Sequence, residues 1–284
     1  MHGWLPEVCD ETSQVVTASR RLARRLTSEF NAGQIANGKT AWLTPVILAW
    51  PDWQSRLLAS AGHDVRPARL NPHQSRVLWE RILRQVIDDP LVNIANLTRH
   101  ARDAWQRLHE WRVPFDECVA AASSRDQRLF ATAASRYRAC LVAENWIDDA
   151  MLGGTVAAAV EAGTLTVPER VWLAGFDRLT PQADGLLAAL RERGTRIEQA
   201  PAGSSTNEVT VLACEDPDAE LRTAGAWART QLDRNPDARI GIVVSGLEQD
   251  ADRAGRLVRE GLVPGWQYAP QPYREAANIS FGRR

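Results

Sequence analysis

Residues 33–40 read GQIANGKT and satisfy G-x-x-x-x-G-K-[ST], the spacing at which a glycine loop wraps nucleotide phosphates. In that chemistry Lys39 would reach the phosphates and Thr40 would hold Mg²⁺. The chemistry also needs a buried strand running into the loop and a helix leaving it, so that backbone N–H groups converge on the anion. The preceding stretch, TASRRLARRLTSEFNA, repeats Leu22, Leu26 and Phe30 every four positions, a helical period. The following stretch, AWLTPVILAWP, is a short apolar run rich in branched residues and reads as a strand. The order is helix, loop, strand, the reverse of what phosphate binding requires. Gly33, Gly38, Lys39 and Thr40 are therefore expected to form an ordinary connection, with an active P-loop ATPase kept as the alternative.

A second place for chemistry is the junction VWLAGFDRLTPQ, a strand entering a helix. Ligands of open α/β sheets bind beyond the C-terminal ends of strands. Nucleotide-hydrolysing sheets carry carboxylates at such a strand end, to hold Mg²⁺ and orient water. Ala174 and Gly175 occupy those positions here. Glu144, Asp148 and Asp149 form a carboxylate cluster, but on a helix neighbouring residues point about 100° apart, so a helix terminus is expected. His63, His73, His100 and His109 accompany no Ser, Cys or carboxylate pattern. Cys9, Cys118, Cys140 and Cys214 lie far apart and suggest neither zinc nor a disulfide framework.

The chain has 284 residues, 44% hydrophobic and 24% charged, with a mean hydropathy of −0.32. That composition describes a soluble globular protein, and no apolar run is long enough to span a membrane. The N-terminus, MHGWLPEVCDE, lacks the layout of a signal peptide, so a cytoplasmic location is expected. Net charge is −1, so any nucleic-acid contact must come from a local patch. Lys39 is the only lysine among 34 basic residues. The 11 tryptophans, at helical spacing, are read as core.

Along the chain, residues 1–66 read as the first part of an α/β domain: strand SQVVTAS, basic amphipathic helix, strand AWLTPVILAW, helix DWQSRLLASAG. From 67 to 165 the three-and-four spacing of apolar residues gives an inserted all-helical subdomain. Residues 166–203 return to the α/β frame. Here Thr180 is the expected N-cap, Pro181 the first helical residue and Gly194 the stop. PAGSSTNE is the linker. Residues 204–284 begin a second α/β domain, with strands at VTVLAC and ARIGIVV separated by a helix. The fold class expected is α/β with a mostly parallel sheet.

The segment VWLAGFDRLTPQADGLLAAL resembles the region of AddB and RecB-like DNA repair exonucleases in which active helicases of the same superfamily carry an Asp-Glu pair. The AddB-like branch keeps the strand and the following helix without the acids. VVTASRRLARRL, AWLTPVILAWPDW, DPDAELRTAGAWARTQL, ARIGIVVSGLEQDADRAGRLV and ANISFGRR resemble further family segments in matching order. The resemblance implies superfamily 1 helicase-like, P-loop NTPase-like domains without ATPase activity, as the N-terminal portion of a longer exonuclease. The Mg²⁺-dependent PD-(D/E)xK nuclease domain would lie beyond Arg284. GFDRLT lacks the spacing and the lysine of that nuclease, so no nuclease activity, metal, iron–sulfur cluster or other cofactor is expected within this chain.

Carried over by position, the resemblance implies single-stranded DNA contacts at Thr17, Ser19 and Arg20, with Thr44 in a second loop; Arg21, Arg24 and Arg25 would add a basic stripe. Partners implied are single-stranded DNA and a helicase or nuclease subunit. A protein-docking scaffold without DNA contact remains a further alternative.

Overall fold

The computed structural model describes residues 4–5, 12–61, 67–87, 91–201, 209–268 and 277–279. Cys9, His63, most of the linker (202–208) and most of ANISFGRR lie outside the described residues. The chain forms two compact units, Met1–Ser204 and Ser205–Arg284.

The first unit is built on four parallel strands in the order β2-β1-β5-β6. They are β1 (Ser13–Thr17), β2 (Val46–Ala49), β5 (Arg170–Ala174) and β6 (Arg196–Gln199). Val15 pairs with Ile47 on one side and Trp172 on the other. Successive residues of a strand face opposite sides of a sheet, and the core divides accordingly. Val15, Ile47 and Ala174 pack with Ala23, Leu26 and Phe30 of α1 (Arg20–Ala36). Val16, Val171 and Leu173 pack on the other face with α2 (Trp50–Ala59), α7 (Asp149–Glu161) and α8 (Pro181–Glu192). The sheet is thus buried on both faces, as a parallel sheet must be. Thr180 caps α8 through its side chain, Pro181 opens it, and Gly194 follows it at φ +94°.

The helical segment comprises α3 (Pro72–Val86), α4 (Ile94–Glu110), α5 (Phe115–Ala120) and α6 (Arg125–Ala143), followed by α7. Its own core stacks Trp79 on Tyr137 at 4.3 Å, with Trp105 edge-on to both. Two short strands that periodicity does not reveal, β3 (Ala68–Arg69) and β4 (Trp146–Ile147), pair in parallel. They tie the entrance of the helical segment to its exit. The last helix, α7, leaves that core and covers the sheet, so the helical segment and the α/β frame share one compact unit.

The second unit is a helix pair, α9 (Pro217–Arg234) and α10 (Ala251–Leu262). Gly225 and Gly261 let the two backbones meet: a Cβ on either would run into the carbonyl oxygen of Val258 or Arg222. Arg222 bridges to Glu260 at 2.9 Å across the contact. The strands expected at 209–214 and 238–244 are not formed. A strand needs a ladder partner, and Val209, Val211, Leu212 and Val243 stand exposed instead of packed.

Candidate nucleic-acid interface

In the order β2-β1-β5-β6, the connection from β1 runs outward to β2, while that from β5 runs the other way to β6. The sheet therefore reverses between β1 and β5, and beyond the C-terminal strand ends at such a reversal lies the crevice in which ligands of open α/β sheets bind. Residues 18–20 follow β1, residues 175–177 follow β5, and Trp50 and Asp52 begin α2 beside them. The Ala18 amide donates to the Ala174 carbonyl at 3.1 Å and closes the floor.

At the β5 end, Ala174 is buried and Gly175 adopts φ +74°. A Cβ at Gly175 would stand 2.7 Å from Cδ2 of Leu22. Glycine adopts this left-handed backbone most readily, and a side chain here would have to displace the end of Leu22. Asp177, exposed, lies two residues beyond the turn.

At the β1 end, the hydroxyl of Ser19 caps α1 by accepting from the Leu22 amide at 3.2 Å. No acidic residue lies in the first turn of α1. Arg20, Arg21, Arg24 and Arg25 crowd the helix end that already carries the positive pole of the dipole, a placement that opposes helix stability. Arg25 is paired with Glu29. Arg20 donates through Nε and Nη2 to the Asp52 carboxylate at 2.8 and 2.7 Å. That hydrogen bond holds the Asp52 carboxyl below its ordinary range and raises the Arg20 guanidinium. Arg20, Arg21 and Arg24 are exposed, and Arg24 has no carboxylate partner among the described residues.

Two residues expected in the interface are placed elsewhere. Thr17 is fully buried, and its hydroxyl donates to the Ser19 carbonyl at 2.9 Å, so it shapes the turn and cannot reach a ligand. Thr44 is exposed but precedes β2, which starts only at Val46. Pro45 has no amide to extend the ladder. Thr44 therefore lies beyond the N-terminal end of the sheet, roughly 16 Å along the strand from the Ala49 end at about 3.3 Å per residue.

GQIANGKT is the C-terminal end of α1. Gly33 lies inside the helix, and the amides of Asn37, Gly38 and Lys39 donate back to the carbonyls of Gly33, Ile35 and Gln34 at 2.9–3.1 Å. Those amides are the ones a phosphate would need, and the negative pole of the helix sits beside them. Lys39 and Thr40 are exposed on the connection to β2.

Sequence patterns did not reveal Asp52 as the counter-charge of Arg20. They also missed the aromatic pair Trp50 and Phe176, whose rings meet edge-on at 5.8 Å between the β2 and β5 ends. The signal for both was present in WPDW directly after the second strand. The carboxylate cluster resolves as a helix terminus. Asp148 Oδ1 accepts from the Met151 amide at 3.2 Å and caps α7. Its Oδ2 accepts from Tyr137 Oη and Trp105 Nε1, each at 3.0 Å, and Tyr137 Oη lies 2.9 Å from Ser75 Oγ. Burial pushes the Asp148 carboxyl and the Tyr137 hydroxyl up and the His109 imidazole down. His109 packs edge-on against Trp105 and joins no hydrogen-bonded relay with Ser75, so this buried network ties helices together rather than forming a nucleophile.

Among the described residues, no group of three or more His, Cys, Asp or Glu side chains could hold a metal ion. None of their helices is long and apolar enough to cross a membrane. Comparisons with protein-family models and with curated proteins find no match to the sequence.

Proposed function

We propose that the chain is a helicase-like region without ATPase activity, of the AddB/RecB type, that binds and guides single-stranded DNA during double-strand-break repair and docks a subunit that hydrolyses ATP. The observation that carries this reading is the crevice beyond β1 and β5. There a positive helix end and Arg20, Arg21 and Arg24 face solvent where an acidic pair would stand in an ATPase. Phosphates suit guanidinium groups and helix N-terminal amides. Trp50 and Phe176 beside them offer ring surface of the kind on which bases stack. The parallel sheet interrupted by a helical segment agrees with the same reading.

A fluorescence anisotropy titration with oligothymidylate tests it. Binding is expected to weaken steeply with salt, because phosphate contacts release counterions. Arg20→Glu with Arg21→Glu should lower affinity at least about tenfold at low salt, each lost phosphate contact reducing the salt slope by about 0.7. Asp52→Asn, which releases Arg20 from its carboxylate, should raise affinity and steepen the slope. Affinity that ignores all three changes would dismiss the DNA interface and leave the protein-docking scaffold.

A further inference from the structure

We propose that the groove between α1 and β2 docks an extended peptide of a protein partner, which joins the sheet beside β2 and sets an acidic side chain against Arg24. The groove shares Arg20, Arg24 and Asp52 with the DNA reading at one end, and Ile35, Ile47 and Ala49 along the rest of it belong to the groove alone.

β2 is the outer strand of the four, with β1 on one side only. An edge strand offers a row of backbone donors and acceptors, and proteins usually blunt it with charge, proline or a bulge. Val46–Ala49, VILA, is only four residues long and follows Pro45, but carries no charge or bulge of its own. Beside it runs a groove of about 670 Å³, floored by Ile47 and Ala49 and walled by Ala23, Ala32 and Ile35 of α1. Ile35 is 64% exposed, a large apolar side chain with nothing over it among the described residues. The wall from Arg20 to Ile35 is about 22 Å long at 1.5 Å per residue. That length takes about seven residues of extended chain.

Charge chooses the occupant. Arg20, at one end, is already neutralised by Asp52, whereas Arg24 is exposed and, among the described residues, bonds only to the Arg20 carbonyl, at 3.4 Å. The groove thus has one positive charge without a carboxylate partner among the described residues near one end, the polar side chains of Thr27, Ser28 and Asn31 along its helix wall, and an apolar floor. No aromatic ring lines it, so nucleotide bases would find nothing to stack on, and its apolar floor suits alternate side chains of a strand better than a chain of phosphates.

Selection of random heptapeptides on the intact protein, followed by anisotropy titration of the enriched sequences, tests the proposal. Expected are peptides with alternating apolar residues and an aspartate or glutamate near one end. Hydrogen exchange of the amides at 46–49 should slow when they bind. Ile35→Lys should weaken them at least about tenfold without reducing oligothymidylate affinity, and Arg24→Glu should shift the preference to peptides carrying lysine or arginine. The proposal is overturned if no peptide is enriched over an unrelated protein, or if enriched peptides ignore both substitutions. It is also overturned if β2 exchange slows instead with oligothymidylate or with self-association of the chain.

Discussion

Trp79→Ala is expected to destabilise the first unit by about 3–5 kcal/mol, the largest loss of any single truncation considered. Trp79 is 0% exposed and stacks on Tyr137 and, in near-parallel planes, on Phe130, with Trp105 against its edge. Removing the indole leaves a cavity that three other rings must either span or collapse into. Its Nε1 has no hydrogen-bond partner among the described residues. Trp79→Phe, which keeps ring contact and removes an unsatisfied donor, should therefore cost much less than the alanine variant. Denaturant unfolding followed by near-UV dichroism would measure both. Trp111→Ala provides the contrast, since that side chain is 63% exposed and its loss should change stability by no more than about 0.5 kcal/mol. Equal effects at positions 79 and 111 would contradict the packing described for the helical segment.

Asp148→Ala is expected to cost about 2–4 kcal/mol, through two separate losses. The cap on α7 contributes about 1 kcal/mol. The remainder comes from leaving Trp105 Nε1 buried without its acceptor, at about 1–3 kcal/mol, whereas Tyr137 Oη keeps Ser75 Oγ at 2.9 Å. The pH dependence has a definite sign. Burial raises the Asp148 carboxyl above its unfolded value, so the native state holds that proton more tightly than the unfolded chain. The resulting stabilisation is fully present below the unfolded pKa and is lost as pH rises through the folded one. The alanine variant lacks this dependence, and carboxylates common to both proteins cancel in the difference. The stability gap between wild type and Asp148→Ala should accordingly be wider near about pH 4.5 than near about pH 7.5. A gap that widens with rising pH would mean that hydrogen bonding to the carboxylate outweighs its burial.

Much of the first unit was legible in the sequence because its signals are local. The four-residue repeat of Leu22, Leu26 and Phe30 fixes the buried face of α1, and Thr180-Pro181 marks the start of α8. GQIANGKT reads as a connection after a helix from the period of the residues before it, and the amides of Asn37, Gly38 and Lys39 do bond back into the end of α1. What local signals could not give was pairing. β3 and β4 are two residues each and exist only because residues 68 and 146 meet. The same limit explains 209–214 and 238–244, whose composition is that of strands while their backbones have no ladder. Thr44 was misplaced because apolar character extends from Ala41 through Trp50, although Pro45 delays the strand to Val46. Thr17 was misread for a different reason: a hydroxyl at a strand end can serve the turn instead of a ligand, and only its bond to the Ser19 carbonyl decides between them. Asp52 and Arg20 are 32 residues apart, so no periodicity joins them.

We propose that the crevice holds a DNA strand without hydrolysing nucleotide, and DNA-stimulated ATP turnover is the measurement that decides it. Purified protein with Mg²⁺, ATP and oligothymidylate should release no phosphate above the rate of a Lys39→Ala variant, because neither the capped end of α1 nor the Ala174-Gly175 turn supplies the groups that hydrolysis needs. Robust turnover stimulated by DNA and lost in Lys39→Ala would overturn that proposal and establish an active P-loop ATPase instead.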